Sequence, residues 1–303
     1  MYLVETNGLT KVYAHKAAVD NVNMHIEQGT IYGFVGENGS GKTTIMRLLT
    51  GLAEPTKGSY TLFGLSNKDR KLYAFRNQIA AIVESTSLVP TMTAIDNMIF
   101  QELYLGIKLT EEERENILKL VNLQDVGKKR VKNFSLGMRQ RLGIALALIN
   151  KPKLMLLDEP MNGLDPQGIA ELRDLLLNLN KNEGITILIS SHILSELEKV
   201  ATHYGFITHG KLIEEITVEE LHQRCRKAIK FTVDNTSNLP KVIKELNVKE
   251  SKVTPSGEVV IYDSLDINNL VVCLDKNGMK VISFNTTDES IEDYYLNLVR
   301  REN

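Results

Sequence analysis

The sequence predicts an α/β fold, in which a parallel core sheet carries an antiparallel β subdomain and an inserted helical subdomain, followed by a small α+β domain. Three observations favour this fold. An apolar strand, Ile31–Val35, leads through a glycine-rich loop into a helix. Strands and helices alternate between residues 154 and 208, as they do in parallel sheets. A new strand and helix pattern begins after residue 221, which predicts one domain over residues 1–221 and an accessory domain over residues 222–303.

The composition is that of an ordinary globular chain with two folding units. It has 303 residues, of which 43% are hydrophobic and 24% charged, so disorder and a disulfide scaffold are excluded. The formal net charge of -2 gives no support to a nucleic-acid partner, and none is expected. The chain has only two cysteines, Cys225 and Cys273, which lie far apart in the sequence and favour a reducing cytosol.

The sequence shows neither a signal peptide nor a run of about 20 apolar residues that would span a bilayer. We therefore expect a cytoplasmic chain. If it works at a membrane, a separate chain must provide the membrane span.

The first 35 residues predict an antiparallel opening followed by the first core strand. Residues 2–20 alternate and include β-branched types, as two short strands would, and residues 22–26 predict another strand before a turn at Gly29. The run Ile31–Val35 is compact and predominantly apolar, which is typical of a buried strand. A helix is predicted over residues 42–52, directly after the glycine-rich loop.

The middle of the chain predicts a helical subdomain over about residues 85–150, and the core alternation then resumes. Apolar residues recur at i, i+3 and i+4 there, and Thr110 with Glu113 predicts a capping box. The predicted helices cover residues 93–105, 110–123 and 135–150. After them come strands over residues 154–157, 186–190 and 204–208, with helices over residues 167–181 and 193–201.

Residues 222–303 predict a ferredoxin-like βαββαβ order with a trailing helix. The pattern predicts a hairpin that turns at Ser256 and Gly257. The other elements are strands over residues 228–233 and 280–285 and helices over residues 240–246, 267–276 and 290–301.

The glycine-rich loop carries the strongest chemical signal. Residues 36–43 match G-x-x-x-x-G-K-[ST] in full, directly after a strand and directly before a helix. Glycines allow successive backbone N–H groups to face a phosphate chain, and the start of the helix adds a positive dipole end. Lys42 would reach the outer phosphates and Thr43 would ligate Mg²⁺. The predicted nucleotide-binding residues here are Gly36, Asn38, Gly39, Ser40, Gly41, Lys42, Thr43 and Thr44.

Two consecutive carboxylates, Asp158 and Glu159, end the apolar run of residues 154–157. The carboxyl ends of parallel strands are where the ligand sites of such sheets lie. Asp158 suits Mg²⁺ and Glu159 suits the polarisation of a water. Alone this string is a weak signal, because helix N-caps often have the same residues, but the phosphate loop strengthens it.

Three more motifs accompany these two: residues 133–141 (NFSLGMRQR), Gly163-Leu-Asp165-Pro, and Ser190-Ser-His192. With them the chain resembles the ATP-binding subunits of ATP-binding-cassette (ABC) transporters over roughly residues 3–215. The order of the motifs is that of the family. It includes an aromatic residue, Tyr13, before the phosphate loop and a lid loop at Glu84.

The resemblance implies a role for each matching residue. Tyr13 would stack on adenine, and Ser135 with Gly137 would cap the γ-phosphate of an ATP held by a second subunit. The loop that ends at Asp165 would contact that subunit beside its nucleotide, and His192 would hold the γ-phosphate and the attacking water. The residues alone leave simpler interpretations open: Ser135 as a plain N-cap, His192 as a helix-start histidine and Tyr13 as a packed loop aromatic.

The sequence departs from the family pattern in two places, the signature and the lid loop. The signature is Phe-Ser-Leu-Gly-Met instead of Leu-Ser-Gly-Gly-Gln, so contacts of the missing Gln are absent. The lid loop has Glu84 where most relatives have Gln, and we expect Glu84 to be a third metal ligand, with a solvated loop carboxylate as the alternative. With a C-terminal extension, these features look like the bacitracin- and lantibiotic-resistance exporters.

The function implied is that of an ATP-hydrolysing transport subunit. A head-to-tail dimer would sandwich two ATP molecules with Mg²⁺ and drive a separate transmembrane permease from the inner face of the membrane. The cargo would be a peptide antibiotic or a similar amphiphile.

The alternative is a soluble, non-transport ABC ATPase of DNA repair or translation, which would need a long coiled-coil insertion or paired cassettes with basic tails. A GTPase would need an N-K-x-D motif, which the sequence lacks. The role of residues 222–303 stays open between regulation, dimer support and a structural brace.

Overall fold

The computed structural model describes residues 2–83, 87–224, 227–254, 257–263, 265–288 and 291–302. The chain divides into two compact units, Met1–Val218 and Glu219–Asn303. The boundary expected from the sequence, after residue 221, lies three residues further along. No helix in the described ranges combines the length and the apolarity needed to cross a membrane.

The first unit contains two sheets and the helices between their strands. Its strands are β1 (Tyr2–Tyr13), β2 (Lys16–Val22), β3 (His25–Glu27), β4 (Ile31–Val35), β5 (Lys57–Leu62), β6 (Leu65–Ser66), β7 (Ile79–Ile82), β8 (Leu154–Asp158), β9 (Thr186–Ser191), β10 (His203–Thr208) and β11 (Lys211–Thr217). Its helices are α1 (Lys42–Thr50), α2 (Leu72–Phe75), α3 (Ala94–Leu105), α4 (Glu111–Leu120), α5 (Leu136–Leu148), α6 (Pro166–Lys181) and α7 (Leu194–Leu197), and α8 (Val218–Arg224) begins at its last residue.

An antiparallel sheet opens the first unit, as the sequence predicts. Its strands lie in the order β2-β1-β5-β6, and β3 also pairs with β1. The strand predicted over residues 22–26 is wrong in its bounds, because Val22 ends β2 and β3 begins only at His25. Glu215 of β11 accepts hydrogen bonds from the buried Tyr32 hydroxyl (2.8 Å) and the His25 N–H (2.7 Å), so it ties β3 to the core sheet.

The core sheet has the order β11-β10-β4-β9-β8-β7. All its neighbouring pairs are parallel except β10 and β11, which form an antiparallel edge. The predicted strands at residues 31–35, 154–157, 186–190 and 204–208 are confirmed to within a residue or two. Every residue of β4 is buried, which explains its uninterrupted apolar run. The register pairs Asp158 with Ser190 and Val35 with Ser191, so the ends of β4, β8 and β9 meet at one edge.

The helical region follows the predicted order with shorter helices. Thr93 and Thr110 each form a capping box at the start of α3 and α4, and the second was predicted from Glu113. The helix predicted to residue 123 ends at Leu120, shortly before Asn122 takes a left-handed φ of 54°. The helix predicted over residues 193–201 is also wrong in length, since α7 ends at Leu197.

The second unit has a four-stranded antiparallel sheet, and its described residues include most of α8 and three further helices. After α8 its elements are β12 (Lys227–Val233), α9 (Leu239–Glu245), β13 (Ser251–Val253), β14 (Glu258–Ile261), α10 (Ile267–Lys276), β15 (Val281–Asp288) and α11 (Ile291–Glu302). Its sheet order, β13-β14-β12-β15, is that of a ferredoxin-like βαββαβ unit, and the predicted trailing helix is α11. Ser256 of the predicted hairpin lies outside the described residues, but the two strands on either side of it pair antiparallel.

Candidate nucleotide-binding site

The phosphate loop joins the end of β4 to the start of α1, and two of its glycines are required by geometry. A Cβ on Gly36 would lie 2.5 Å from both the Ile207 carbonyl oxygen and Ser40 Oγ. Gly41 has a left-handed φ of 113° and occupies the N-cap position of α1. Because Gly41 has no side chain with which to cap the helix, the first N–H groups of α1 can bind an anion.

The loop also holds a buried hydroxyl that a ligand could satisfy. Ser40 Oγ is buried and has no hydrogen-bond partner among the described residues. Buried polar atoms are nearly always paired, so this one fits a loop that closes around a polar ligand. Asn38 and Gly39 are exposed, and Thr44 is half-buried in the first turn of α1.

Lys42 projects across the loop and meets the glutamate that follows β8. Its Nζ donates to the carbonyl oxygens of Gly36 (2.6 Å) and Glu37 (3.2 Å), and lies 3.3 Å from Glu159 Oε1. The side chain is almost fully buried. A phosphate group in the loop would give this buried cation a second anionic partner.

Asp158 lies beside the phosphate loop and both of its carboxylate oxygens are held. Thr43 Oγ1 donates to Oδ2 at 2.6 Å, and Ser190 Oγ donates to Oδ1 at 2.6 Å. A threonine hydroxyl and a carboxylate are oxygen ligands of the kind that Mg²⁺ prefers. The donor set that the sequence predicts for the metal at Thr43 and Asp158 is therefore assembled in one place and fits Mg²⁺.

Glu159 has an unusual backbone conformation and a fixed side chain. Its φ is 49°, which is left-handed, and its N–H donates to Ser190 Oγ at 2.9 Å. Its Oε2 lies 2.6 Å from His192 Nδ1. The carboxylate thus lies between the Lys42 ammonium and the His192 imidazole, at the edge where a nucleotide phosphate would enter. A carboxylate in that position can accept a proton from a water.

The signature helix and the Asp165 loop form a second group. Ser135 is exposed and accepts a hydrogen bond from the Met138 N–H (3.2 Å), so it is an N-cap of α5. Gly137 lies against Leu164 and Gly168, because a Cβ on it would be 3.7 Å from the Leu164 side chain. Asp165 caps α6 through the Gly168 N–H (2.9 Å). The N-terminus of α5 and the Asp165 loop therefore present one joint surface.

Comparison with known proteins shows which family the chain resembles in sequence. The family model described as ABC transporter matches residues 19–162. The chain is 40% identical to the bacitracin transport ATP-binding protein BcrA of Bacillus licheniformis, over 98% of this chain and 97% of that protein. It is also 46% identical to the lantibiotic transport ATP-binding protein SrtF of Streptococcus pyogenes, over 70% of this chain and 90% of that protein.

The chain belongs to the ABC transporter family. It is the ATP-binding subunit of such a transporter and an ATPase, as the sequence predicts. Both relatives are named as transport proteins, so the non-transport alternative has no support among them.

Solved structures agree with the fold of this ABC subunit. A dimeric ATP-binding cassette in a post-hydrolysis state, bound to ADP and Pi, matches with a TM-score of 0.63 and 26% identity, over 71% of this chain and 98% of that one. Family members thus bind nucleotide and form dimeric cassettes.

Tyr13 and Glu84 are two further residues that the sequence predicts for the site of this ABC subunit. Tyr13 ends β1 with 44% of its surface exposed, and Lys11 Nζ lies 5.0 Å from its ring centroid. This exposure fits a ring that is available for stacking better than a packed loop aromatic. Glu84 lies outside the described residues, so its role stays a prediction.

The sequence missed one residue of the site. Ser190 was noted only as the start of the Ser190-Ser-His192 motif, yet its hydroxyl joins Asp158 to the backbone of Glu159. The available signal was a hydroxyl residue at the end of an apolar strand, two residues before the motif histidine. The contact itself depends on the register between β8 and β9, which the sequence does not reveal.

Proposed function

We propose that this chain is the ATP-hydrolysing subunit of an exporter of peptide antibiotics or similar amphiphiles. The observation that carries the ATPase part is the arrangement of Lys42, Asp158 and Glu159 around the phosphate loop. The transport part rests on the similarity to the bacitracin transport protein, which extends through both units of the chain.

The residues of the site divide the chemistry among them. Lys42 and the N–H groups of α1 bind the outer phosphates of ATP. Thr43 and Asp158 hold Mg²⁺, which neutralises phosphate charge when bound. Glu159 accepts the proton of the attacking water, and His192 orients Glu159 and the γ-phosphate. Tyr13 stacks on adenine.

Glu84 is proposed as a further metal ligand, because the family resemblance puts it in the lid loop, where the family pattern has a neutral Gln. A carboxylate would bind Mg²⁺ more strongly than an amide oxygen. The test is a Mg²⁺ titration of the ATPase rate for wild type, Glu84→Gln and Glu84→Ala. We expect a shifted titration for the Gln variant and a larger loss for the Ala variant, whereas three superimposable curves would reject the metal role.

A second copy of the chain completes each site in this proposal. The exposed Ser135 and the half-buried Gly137 at the start of the 13-residue helix α5 provide a hydroxyl and N–H groups for the γ-phosphate of an ATP held by the other copy. The Asp165 loop lies against the same helix start, so it would contact the partner in the same interface. The head-to-tail arrangement follows because each copy offers both halves of a site.

The permease is proposed to dock on the exposed apolar face of α3. Leu103 is 76% and Tyr104 80% exposed, and Ile95, Ile99 and Phe100 are also exposed. Phe100 and Tyr104 line a groove together with Ile82 of β7 and Leu146 of α5. Contiguous exposed apolar side chains of this kind mark interaction sites. Docking there would keep the chain peripheral on the inner face of the membrane.

A genetic test addresses the transport function. Deletion of the gene in its host should raise sensitivity to bacitracin or a lantibiotic, and wild type but not Glu159→Gln should restore resistance. Leu103→Asp should also fail to restore resistance while the purified protein keeps its ATPase activity. The matched control is Leu177→Asp, which changes an exposed leucine of α6. Unchanged sensitivity after deletion, with an active purified ATPase, would reject the antibiotic cargo.

A further inference from the structure

The hydroxyl of Ser190 lies between Asp158, the proposed metal ligand, and Glu159, the proposed base. Ser190 is fully buried at the end of β9. Its Oγ lies 2.6 Å from Asp158 Oδ1 and 2.9 Å from the Glu159 nitrogen. The direction of both bonds is fixed by chemistry, since a backbone N–H only donates and an ionised carboxylate only accepts. Ser190 Oγ therefore donates a hydrogen bond to Asp158 and accepts one from the Glu159 N–H.

The consequence for Asp158 is a fixed carboxylate plane. Thr43 donates to Oδ2 and Ser190 donates to Oδ1, so each oxygen accepts one bond from a different element. Rotation of the carboxylate would break both bonds at once. Each oxygen keeps a further lone pair for a metal ion or its bound water.

Residues 190–192 also hold Glu159 at two points, its backbone N–H and its carboxylate. Ser190 accepts from the Glu159 N–H, and His192, two residues later, lies 2.6 Å from the Glu159 carboxylate. The left-handed φ of 49° at Glu159 is one that a non-glycine residue keeps only when its surroundings impose it. The Ser190 bond is one such restraint.

We propose that Ser190 is a positioning residue that links the Mg²⁺-binding carboxylate of Asp158 to the backbone of the catalytic base Glu159. The proposal rests on the proposed roles of these two carboxylates. Ser190 acts by fixing the angle and spacing between the group that holds the metal and the group that accepts the proton.

Three variants separate this role from a structural one. Ser190→Ala removes the hydroxyl and adds no bulk. Ser190→Thr keeps a hydroxyl at the same position. The matched control is Thr186→Val, which removes a buried hydroxyl from the same strand, where Thr186 Oγ1 accepts from the Gly29 N–H at 2.9 Å. Thr186 is four residues away from Ser190, about 13 Å along the strand.

The first readout is steady-state ATP hydrolysis by the full chain with varied Mg²⁺. For Ser190→Ala we expect kcat to fall about 10- to 100-fold and the half-saturating Mg²⁺ concentration to rise, as for other residues that orient metal ligands. ATP affinity without Mg²⁺ should stay within about twofold, because the phosphate loop is unchanged. Ser190→Thr should recover most of the rate. Wild-type kcat and Mg²⁺ dependence in Ser190→Ala, or an equal loss in Thr186→Val, would overturn the proposal.

The second readout needs neither nucleotide nor metal. Hydrogen exchange at the Glu159 amide should be faster in Ser190→Ala than in wild type, slow again in Ser190→Thr, and unchanged in Thr186→Val. Equal exchange in all four proteins would refute the link even if hydrolysis depends on Glu159. A different result would count against the proposed metal site instead: the Glu159 amide exchanges slowly in wild type and faster in Ser190→Ala, but the ATPase rate of wild type does not depend on Mg²⁺. The failure of this proposal and that of the proposed metal site are therefore distinguishable.

Discussion

His192 holds the side chain of Glu159, with Nδ1 of the histidine 2.6 Å from Oε2 of the glutamate. The other carboxylate oxygen, Oε1, lies 3.3 Å from Lys42 Nζ. One carboxylate is therefore bound on one side by the phosphate-loop lysine and on the other by the motif histidine. A nucleotide that draws the ammonium to its phosphates would leave Oε1 available to a water.

Lys42→Ala should weaken ATP binding itself. A hydrogen bond from a charged group is worth about 1.5–3 kcal/mol, which corresponds to roughly a 10- to 100-fold rise in Kd. Titration of the variant with a fluorescent ATP analogue measures the change. Lys181→Ala, at an exposed lysine that ends α6, is the control and should bind as wild type does. An unchanged Kd for Lys42→Ala would mean that the phosphate loop is misassigned.

His192→Ala should lower hydrolysis and leave nucleotide binding in place. The variant loses the partner that orients Glu159, and acid–base groups in position contribute about 100-fold or more to rate. We expect kcat to fall by that order while the Kd for ATP changes little. His222→Ala, at an exposed histidine of α8, serves as the control. A rate within about twofold of wild type would show that His192 is only a helix-start histidine.

Glu102→Gln should destabilise the helical subdomain. Glu102 is 3% exposed and accepts two hydrogen bonds from the Arg114 guanidinium, at 2.6 and 2.8 Å, and one from the Leu109 N–H at 3.0 Å. Breaking a buried ion pair of this kind costs about 3–5 kcal/mol in free energy of unfolding. Thermal unfolding should therefore shift down by about 10 °C. Glu115→Gln, at an exposed position of α4, should shift it by less than about 2 °C.

The same pair predicts the direction of a pH effect. The hydrogen bonds from Arg114 lower the pKa of Glu102 from its usual 4.5, and that of Arg114 is raised by the same contact. Folding thus favours the ionised form of Glu102. Its contribution to the free energy of unfolding is present at neutral pH and is lost as the pH falls below 4.5 through the folded-state pKa. The difference in unfolding midpoint between wild type and Glu102→Gln should shrink on acidification. A difference that stays constant down to pH values where the protein unfolds would contradict the ion-pair account.

Local sequence patterns predicted most strands of the core sheet, and they predicted the phosphate loop and the two carboxylates of the site. The phosphate loop needs glycines at fixed positions, and Asp158 and Glu159 end an apolar run, so the residues alone placed them at one edge. The short strand β7 and the edge strand β11 were missed. Ile79–Ile82 has only four residues, and β11 contains Glu214 and Glu215 within a strand. Their structure depends on the neighbours that they pair with.

Contacts between distant segments could not be predicted. Glu215 is stabilised by Tyr32 and His25, which lie more than 180 residues earlier, and burial with this contact raises the pKa of Tyr32 well above 10.0. Ser190 reaches Asp158 only because β8 and β9 pair in one particular register. Periodicity gives the faces of strands and helices, but it gives neither the register nor the partner of a polar side chain.

Glu159→Gln tests the central claim most directly, because the amide keeps the size of the side chain but cannot act as a base. The ATP-bound state should accumulate, since Lys42, Thr43 and Asp158 still bind the nucleotide. The measurement is size-exclusion chromatography of Glu159→Gln with ATP and Mg²⁺, with Glu159→Gln/Lys42→Ala as the control. The account predicts that Glu159→Gln elutes as a dimer only with ATP and that the double variant stays monomeric. A Glu159→Gln protein that binds ATP but elutes only as a monomer would contradict the ATP-sandwich mechanism.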